Sequence, residues 1–222
     1  MITERQKQLL KTIITTYIKD AQPVASGFLA NKLKATISSA TIRNEMVALE
    51  KEGLIEQPHT SAGRIPTEKA YQFYVEEILD FSKVKISLNI QNIDSIENIK
   101  ILAKQIAELT DEAVVVAFAK NDFYYTGISN LFSKPEFADR KMLINMSQVI
   151  DHLDKVMEDL FEDSDKVEIM IGHNNPFGTK CSAVLGSFNF QKEKRLMAVI
   201  GTLRLDYEKA YALIKEVIDN IK

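Results

Sequence analysis

Residues 38–67 read SSATIRNEMVALEKEGLIEQPHTSAGRIPT. Ser38 and Ser39 each offer a side-chain oxygen at a helix N-terminus, and Gly53 is placed to stop the helix that follows. At 100° per residue, Ile42, Met46 and Leu49 share one face of that helix, which must pack inward. Ala40, Arg43, Asn44 and Val47 fall on the opposite side, with Thr41 and Ala48 on a flank. Beyond Gly53, Leu54 to Gln57 reads as a short strand, Pro58 to Gly63 as a turn and Arg64 to Pro66 as the return strand. Thr67 then caps another helix.

Two further helices precede this stretch. Thr3 and Gln6 have capping-box spacing, and Leu9, Leu10, Ile13, Ile14, Tyr17 and Ile18 recur at helical intervals. That helix ends near Asp20, because Pro23 biases its predecessor out of the α region. Ser26 is expected to cap a short helix carrying Phe28, Leu29, Ala30 and Leu33, joined to the next through Thr36 and Ile37. Three helices and a two-stranded β-ribbon, in that order, predict a winged helix-turn-helix. With an exit helix over Thr67 to Phe81, it occupies residues 1–81. The exit helix carries Tyr71, Tyr74, Val75, Ile78 and Leu79 as an apolar stripe, which packs internally or pairs with a second copy.

The outer face of the third helix carries the most chemical information. Small residues near its N-terminus permit close approach to a groove, Arg reads guanine bidentately and Asn does the same to adenine. Its N-terminus offers unpaired N–H groups and partial positive charge to a phosphate. The turn PHTSAGR holds hydroxyls, a glycine and an arginine but no large apolar group, which suits phosphates or a minor groove. The candidate DNA-binding set is Ser38, Ser39, Thr41, Arg43, Asn44, Val47, His59, Thr60, Ser61, Gly63, Arg64 and Thr67. Arg43 and Asn44 are the expected base readers, and Ser39 and Thr41 the expected phosphate contacts. The competing reading is an ordinary solvated helix face. His59 has no second histidine nearby, so it reads as a wing contact or turn residue.

Composition sets the frame. The chain has 222 residues, 45% hydrophobic and 27% charged, which is ordinary for one large or two small domains and excludes a disordered or disulfide-stapled chain. Cys181 is the single cysteine, no apolar run approaches a membrane span, and MITERQKQLL is too polar for a secretory signal. A cytoplasmic protein without membrane contact is expected. Residues 1–75 carry a net +3 and residues 76–222 a net −6, so a polyanion is expected to meet the first third.

Residues 82–95 alternate loosely and read as a linker with one short strand. From residue 96 to 222 the pattern mixes helices and strands. Helices are expected over Ile96 to Leu109 (core positions Ile99, Leu102, Ala103, Ile106 and Leu109), Met146 to Phe161 and Asp206 to Ile221. Val149, Ile150, Leu153, Val156, Met157 and Leu160 are the inward positions of the second. Strands are expected over Ala113 to Ala119, Phe123 to Ile128, Val167 to Ile171, Ser182 to Phe190 and Leu196 to Ile200. Five strands with helices on one side predict an α+β layer.

Residues 38–67 closely resemble the signature of the heat-inducible transcription repressor family, HrcA. RQKQLLKTIITTYI and QPVASGFLA resemble that family's first two helices, and YYTGISNLFSKPEF and IGTLRLDYEKAYALI resemble later segments. The resemblance implies a GAF-like second domain serving regulation or dimerisation. It also implies a homodimer on the inverted-repeat operator of chaperone operons, and control by the chaperonin. Two departures stand out. Relatives insert a further segment that helps subunits associate, for which Phe137 to Val167 leaves little room. This chain also reads Gly201-Thr202-Leu203-Arg204-Leu205-Asp206-Tyr207 where relatives place Pro after the Gly and Met before the Asp.

Other functions are weaker on the residues. Cys181 with His173 is a thiol–imidazole pair, but His173 sits in the turn HNNPFG and Cys181 opens a core strand. Asp151, His152 and Asp154 share a helix turn without a second cluster to complete a metal site. No P-loop or dinucleotide fingerprint is present. An enzyme, a cofactor and a metal are therefore not expected. The alternative from another class is a ligand-sensing or protein-docking module on a winged-helix platform. There Phe118, Phe123, Tyr124 and Tyr125 line a pocket or simply fill the core.

Overall fold

The computed structural model describes residues 2–33, 38–84, 86, 88, 90, 93–119, 122–163 and 167–221. The connection through Thr36 and Ile37 lies outside them. The chain divides into two units, Met1–Leu79 and Asp80–Lys222.

The first unit holds α1 (Glu4–Asp20), α2 (Ser26–Lys32), α3 (Ser39–Lys51), β1 (Ile55–Glu56), β2 (Ile65–Pro66) and α4 (Glu68–Phe73). One wider π-turn, Tyr74–Ile78, continues α4. Thr3 and Gln6 close the capping box on α1. Ala25, not Ser26, occupies the N-cap of α2 and makes no side-chain bond, while Ser26 is the first helical residue. Phe28 of α2 is exposed beneath the Lys32 ammonium, so Leu29 is the buried residue of this helix, and Lys32 Nζ ties it to Thr16 of α1 at 2.8 Å. Leu9, Leu10, Ile13, Ile14, Leu29, Ile42, Leu49, Ile55 and Tyr71 are fully enclosed. Each aliphatic side chain so buried contributes about 1.5–3 kcal/mol, enough to hold three short helices that are marginal alone.

The second unit holds α5 (Ile96–Thr110), β3 (Ala113–Ala119), β4 (Asp122–Thr126), α6 (Ile128–Phe132), α7 (Arg140–Asp151), α8 (Leu153–Asp163), β5 (Glu168–Ile171), β6 (Cys181–Phe190), β7 (Glu193–Thr202) and α9 (Tyr207–Asn220). Its five strands form one antiparallel sheet in the order β4-β3-β7-β6-β5. Phe81, at the start of this unit, stacks on Tyr211 of α9 with ring centroids 4.2 Å apart. Among the described residues of 82–95 there is no strand, and Leu88 is buried.

Helices cover both faces of the sheet rather than one. Ala113, Val115 and Ala117 of β3 and Ala183 and Leu185 of β6 pack with α6, α7 and α8. The alternate residues face α5 and α9, whose Ile214 and Ile218 lie against Gly186. A strand buried on both sides must be apolar throughout, which is why β3 reads AVVVAFA without alternation. On α5, Ile99, Leu102, Ala103, Ile106 and Ala107 are buried, whereas Leu109 is exposed.

The helix expected over Met146 to Phe161 is two helices broken at His152. There the imidazole Nδ1 donates to the Gln148 carbonyl at 2.8 Å, and the His152 amide turns instead to Val149. A side chain that takes the i−4 acceptor competes with the backbone and bends the helix. α6 was not expected; it follows Gly127, whose φ of 74° and close approach to the Glu112 carbonyl leave no space for a Cβ.

One buried charge conditions the stability of this unit. Glu112 is nearly enclosed, its Oε1 lies 3.3 Å from Lys134 Nζ, and its Oε2 has no hydrogen-bond partner among the described residues. Burial raises its pKa from 4.5 to about 7, against the opposing pull of Lys134. The folded protein keeps this proton over a range in which the unfolded chain loses it. Stability from this group is therefore greatest below pH 4.5, falls as pH rises to about 7 and is level above. Glu112→Gln is expected to remove that slope and to exceed the parent at pH 8 by about 1–3 kcal/mol. Urea melts at pH 5, 6.5 and 8 check this.

Candidate nucleic-acid interface

The interface is assembled from α3 and the β1–β2 hairpin. Ser38 is the N-cap of α3: its Oγ accepts from the Thr41 amide at 3.2 Å and lies 3.1 Å from Thr41 Oγ1. The first backbone bond of the helix runs from the Ile42 amide to the Ser38 carbonyl at 3.1 Å. The amides of Ser39 and Ala40 stand ahead of it, with no acceptor in the helix itself. Gly53, at φ 72°, closes the other end, its amide donating to Glu50.

Burial divides α3 as its spacing requires. Ile42, Met46 and Leu49 are buried; Ser39, Arg43, Asn44 and Val47 are exposed, and Thr41 lies between. The two acids within the helix are both bound by arginines. Glu45 receives Arg5 and, at 2.9 Å, Gln6 Nε2, both from α1. Glu50 Oε2 receives Arg64 Nε at 3.1 Å and Nη2 at 3.0 Å. Neither carboxylate is left to oppose Arg43.

The hairpin is short and externally braced. Ile55 pairs with Pro66 and Glu56 with Ile65, and a further bridge joins Val24 to Arg64 through N–O distances of 2.9 and 3.0 Å. Gln57 Nε2 donates to the carbonyls of Thr60 and Ala62, both at 2.9 Å, which fixes the tip. His59, Thr60 and Ser61 are exposed there. Gly63 passes so close to the Val24 backbone that a Cβ would stand 2.5 Å from its carbonyl carbon and oxygen.

Between helix and hairpin lies a cleft of about 290 Å³ whose walls include Ser26, Arg43, Ser61, Gly63 and Arg64. It brings four of the candidate residues to one concavity. Ser38, Ser39 and Thr41 cluster at the start of α3 instead. Arg64 is half-buried and tied to Glu50, so Nη1 is its one nitrogen outside that pair. Thr67 is committed to the fold: its Oγ1 donates to the Gly53 carbonyl at 2.7 Å and accepts from the Ala70 amide at 3.2 Å.

The braces Gln57, Val24 and Glu50 do not stand out in the sequence. Gln57 sits beside the PHTSAGR turn and its two-donor amide was a local signal. Val24 and Glu50 meet Arg64 from distant positions, and nothing in the spacing links them.

In the second unit, Cys181 is buried, and burial pushes its thiol up to about 12, so it is a protonated core residue. His173 is exposed in the turn Gly172–Asn174. Among the described residues no group of three or more His, Cys, Asp and Glu is arranged to hold a metal, and no helix is long and apolar enough to cross a membrane. Phe118 is buried in the sheet and Tyr125 is exposed; neither they nor Phe123 and Tyr124 line the cavity at α7. The departing segment 201–207 makes its own network. Arg204 pairs with Glu136 through two nitrogens, and Thr202 Oγ1 donates to the same carboxylate at 3.3 Å.

Fold and site together define a chain with three helices and a two-stranded hairpin followed by a GAF-like α+β unit. The family model described as the HrcA protein C-terminal domain matches residues 35–210, and the chain belongs to that family. A heat-inducible transcription repressor HrcA of Caldanaerobacter subterraneus subsp. tengcongensis is 42% identical over 125 residues, 54% of this chain and 36% of that protein. The HrcA of a Thermoanaerobacter species is 54% identical over 78 residues, 35% of this chain and 23% of that protein. The matches thus span about a third or less of these relatives' length. A crystal structure described as a hypothetical protein at 2.2 Å shares the fold, with a TM-score of 0.81 at 18% identity over 99% of this chain and 97% of that one.

Gly63→Ala is expected to part the Val24–Arg64 bridge at a cost of about 1–3 kcal/mol, since the atoms it meets are backbone and cannot swing aside. Chemical denaturation measures the loss. Faster amide exchange at Val24 and Arg64, with α3 unaffected, places it in the hairpin.

Proposed function

We propose that this chain is a transcriptional repressor that binds duplex DNA, with α3 entering the major groove and the hairpin lying on the flanking backbone or minor groove. The observation that carries the reading is the exposure of Arg43 and Asn44 on α3, with Arg43 sharing a cleft with Arg64 of the wing. Arg43 and Asn44 read base edges, and Val47 offers an apolar surface to a thymine methyl. Ser39, Thr41 and the first amides of α3 hold phosphates, with Ser38 shaping that end as the cap. His59, Thr60, Ser61 and Gly63 follow the backbone, and Arg64 reaches it with Nη1 while still holding Glu50. Thr67 acts indirectly, by anchoring the hairpin.

Kinship with HrcA supports a homodimer on an inverted-repeat operator of heat-shock operons, working in the cytoplasm and answering to a chaperonin. Two-fold symmetry sets the recognition helices about 34–36 Å apart or a multiple of it. Occupying the promoter is sufficient for repression, so no chemical step or cofactor is needed.

Duplexes selected by the protein from a randomised pool are expected to converge on an inverted repeat. On that repeat Arg43→Ala is expected to cost about 1–3 kcal/mol and to relax discrimination at one base position per half-site. A gel-shift titration against a scrambled duplex measures both. Equal losses on the two duplexes remove Arg43 from the base readers, and failure of any duplex to bind favours the protein-docking alternative. Affinity is expected to fall steeply with salt. Light scattering is expected to give a dimer, and a stable monomer with and without DNA contradicts the symmetric arrangement.

A further inference from the structure

The second unit contains a cavity of about 580 Å³ between α7, the start of α8 and the turn Phe177–Cys181. That volume falls within the range of small-molecule sites. Its floor is formed by Met142, Met146, Phe177 and Cys181, all buried, with Val149 and Val156 on the sides. The thiol is protonated, so the floor carries no charge.

The walls are already set. The Asn175 carboxamide accepts from the Phe177 amide at 3.1 Å. The Gly178 amide returns to the Asn175 carbonyl, and the Cys181 amide to the Gly178 carbonyl. On the facing side Asp139 caps α7 by accepting from the Lys141 amide at 2.9 Å. His152 spends Nδ1 on the Gln148 carbonyl, leaving Nε2 as its other polar atom.

Charge is unevenly placed at the mouth. Lys141 and Lys180 line it from opposite walls, and neither forms an ion pair among the described residues. Asp139 is the one acid of the lining, and an oxygen of it is taken by the helix end. The result is a cationic rim over an apolar floor, in a half of the chain whose overall charge is negative. Two methionines at that floor are unbranched and adaptable, which suits a flexible chain better than a rigid ring.

The geometry points to this cavity as the receptor site for a small amphipathic anion: a medium-chain aliphatic carboxylic acid, its chain between Met142, Met146 and Phe177 and its carboxylate at Lys141 and Lys180. The site is independent of the DNA-binding reading, since its residues all lie in Asp80–Lys222.

Decanoate is the probe, titrated below its micelle concentration into the full chain labelled with ¹³C at the methionine methyls. Of the seven methionines, Met142 and Met146 are expected to shift in a saturable way, with Kd at or below about 100 μM. Decanol and decylamine are expected to bind at least about tenfold more weakly. The double variant Lys141→Ala/Lys180→Ala changes exposed side chains only. It is expected to lose about tenfold affinity for decanoate while leaving decanol unchanged. Met146→Trp, which fills the cavity, is expected to abolish binding. No saturable shift up to about 1 mM overturns the proposal. So does equal affinity for decanol, or an unsaturable shift of all seven methyls, which is detergent action.

Discussion

Ile42, Met46 and Leu49 cannot be buried without turning Arg43 and Asn44 to solvent. That constraint, imposed by the helical repeat on thirteen residues, orders the first unit. The three apolar side chains lock α3 into a core shared with Leu10, Ile13 and Leu29, so the opposite face is presented by rigid packing rather than by a mobile loop. A surface that must match a groove needs that rigidity, because each misplaced contact forfeits its bond and retains its desolvation cost. The braces on the hairpin serve the same end. Val24, Gln57 and the Glu50–Arg64 pair hold a ribbon of two-residue strands that has almost no ladder of its own.

What could be read from the sequence was what depends on neighbours. The Thr3 capping box, the Ser38 cap, the Gly53 stop and the continuous apolar run of β3 are local devices, and each stands where the spacing places it. The exposure of Arg43 and Asn44 was legible for the same reason. Long-range commitments were not. Arg64 reads as a wing cation, yet two of its nitrogens belong to Glu50, and Thr67 reads as a contact residue, yet its hydroxyl joins α4 to Gly53. The break at His152 escaped because an imidazole taking the i−4 carbonyl leaves the apolar period intact. Period alone places Leu109 inside, but α5 turns Ala107 to the sheet at its last turn and leaves Leu109 out.

The second unit departs from the simple layer that its element order suggests. Its sheet is covered on both faces, and this enclosure explains both the apolar strands and the perturbed groups at its end. Glu112 sits where α5 passes into β3, close to Gly201, with Lys134 as its cation. Nearby, Thr202 Oγ1 donates to Glu136, which Arg204 also holds. β7 stays paired with β6 to its end, where Thr202 stands opposite Cys181.

The entire functional reading rests on one polar strip of a short helix and the finger beside it meeting a nucleic-acid duplex. Backbone amide NMR of the full chain, recorded while a selected operator duplex is added, tests that most directly. Shifts confined to residues 38–47 and 59–64 are the expected result. A perturbation map centred elsewhere on the first unit, or none at saturating duplex, contradicts it.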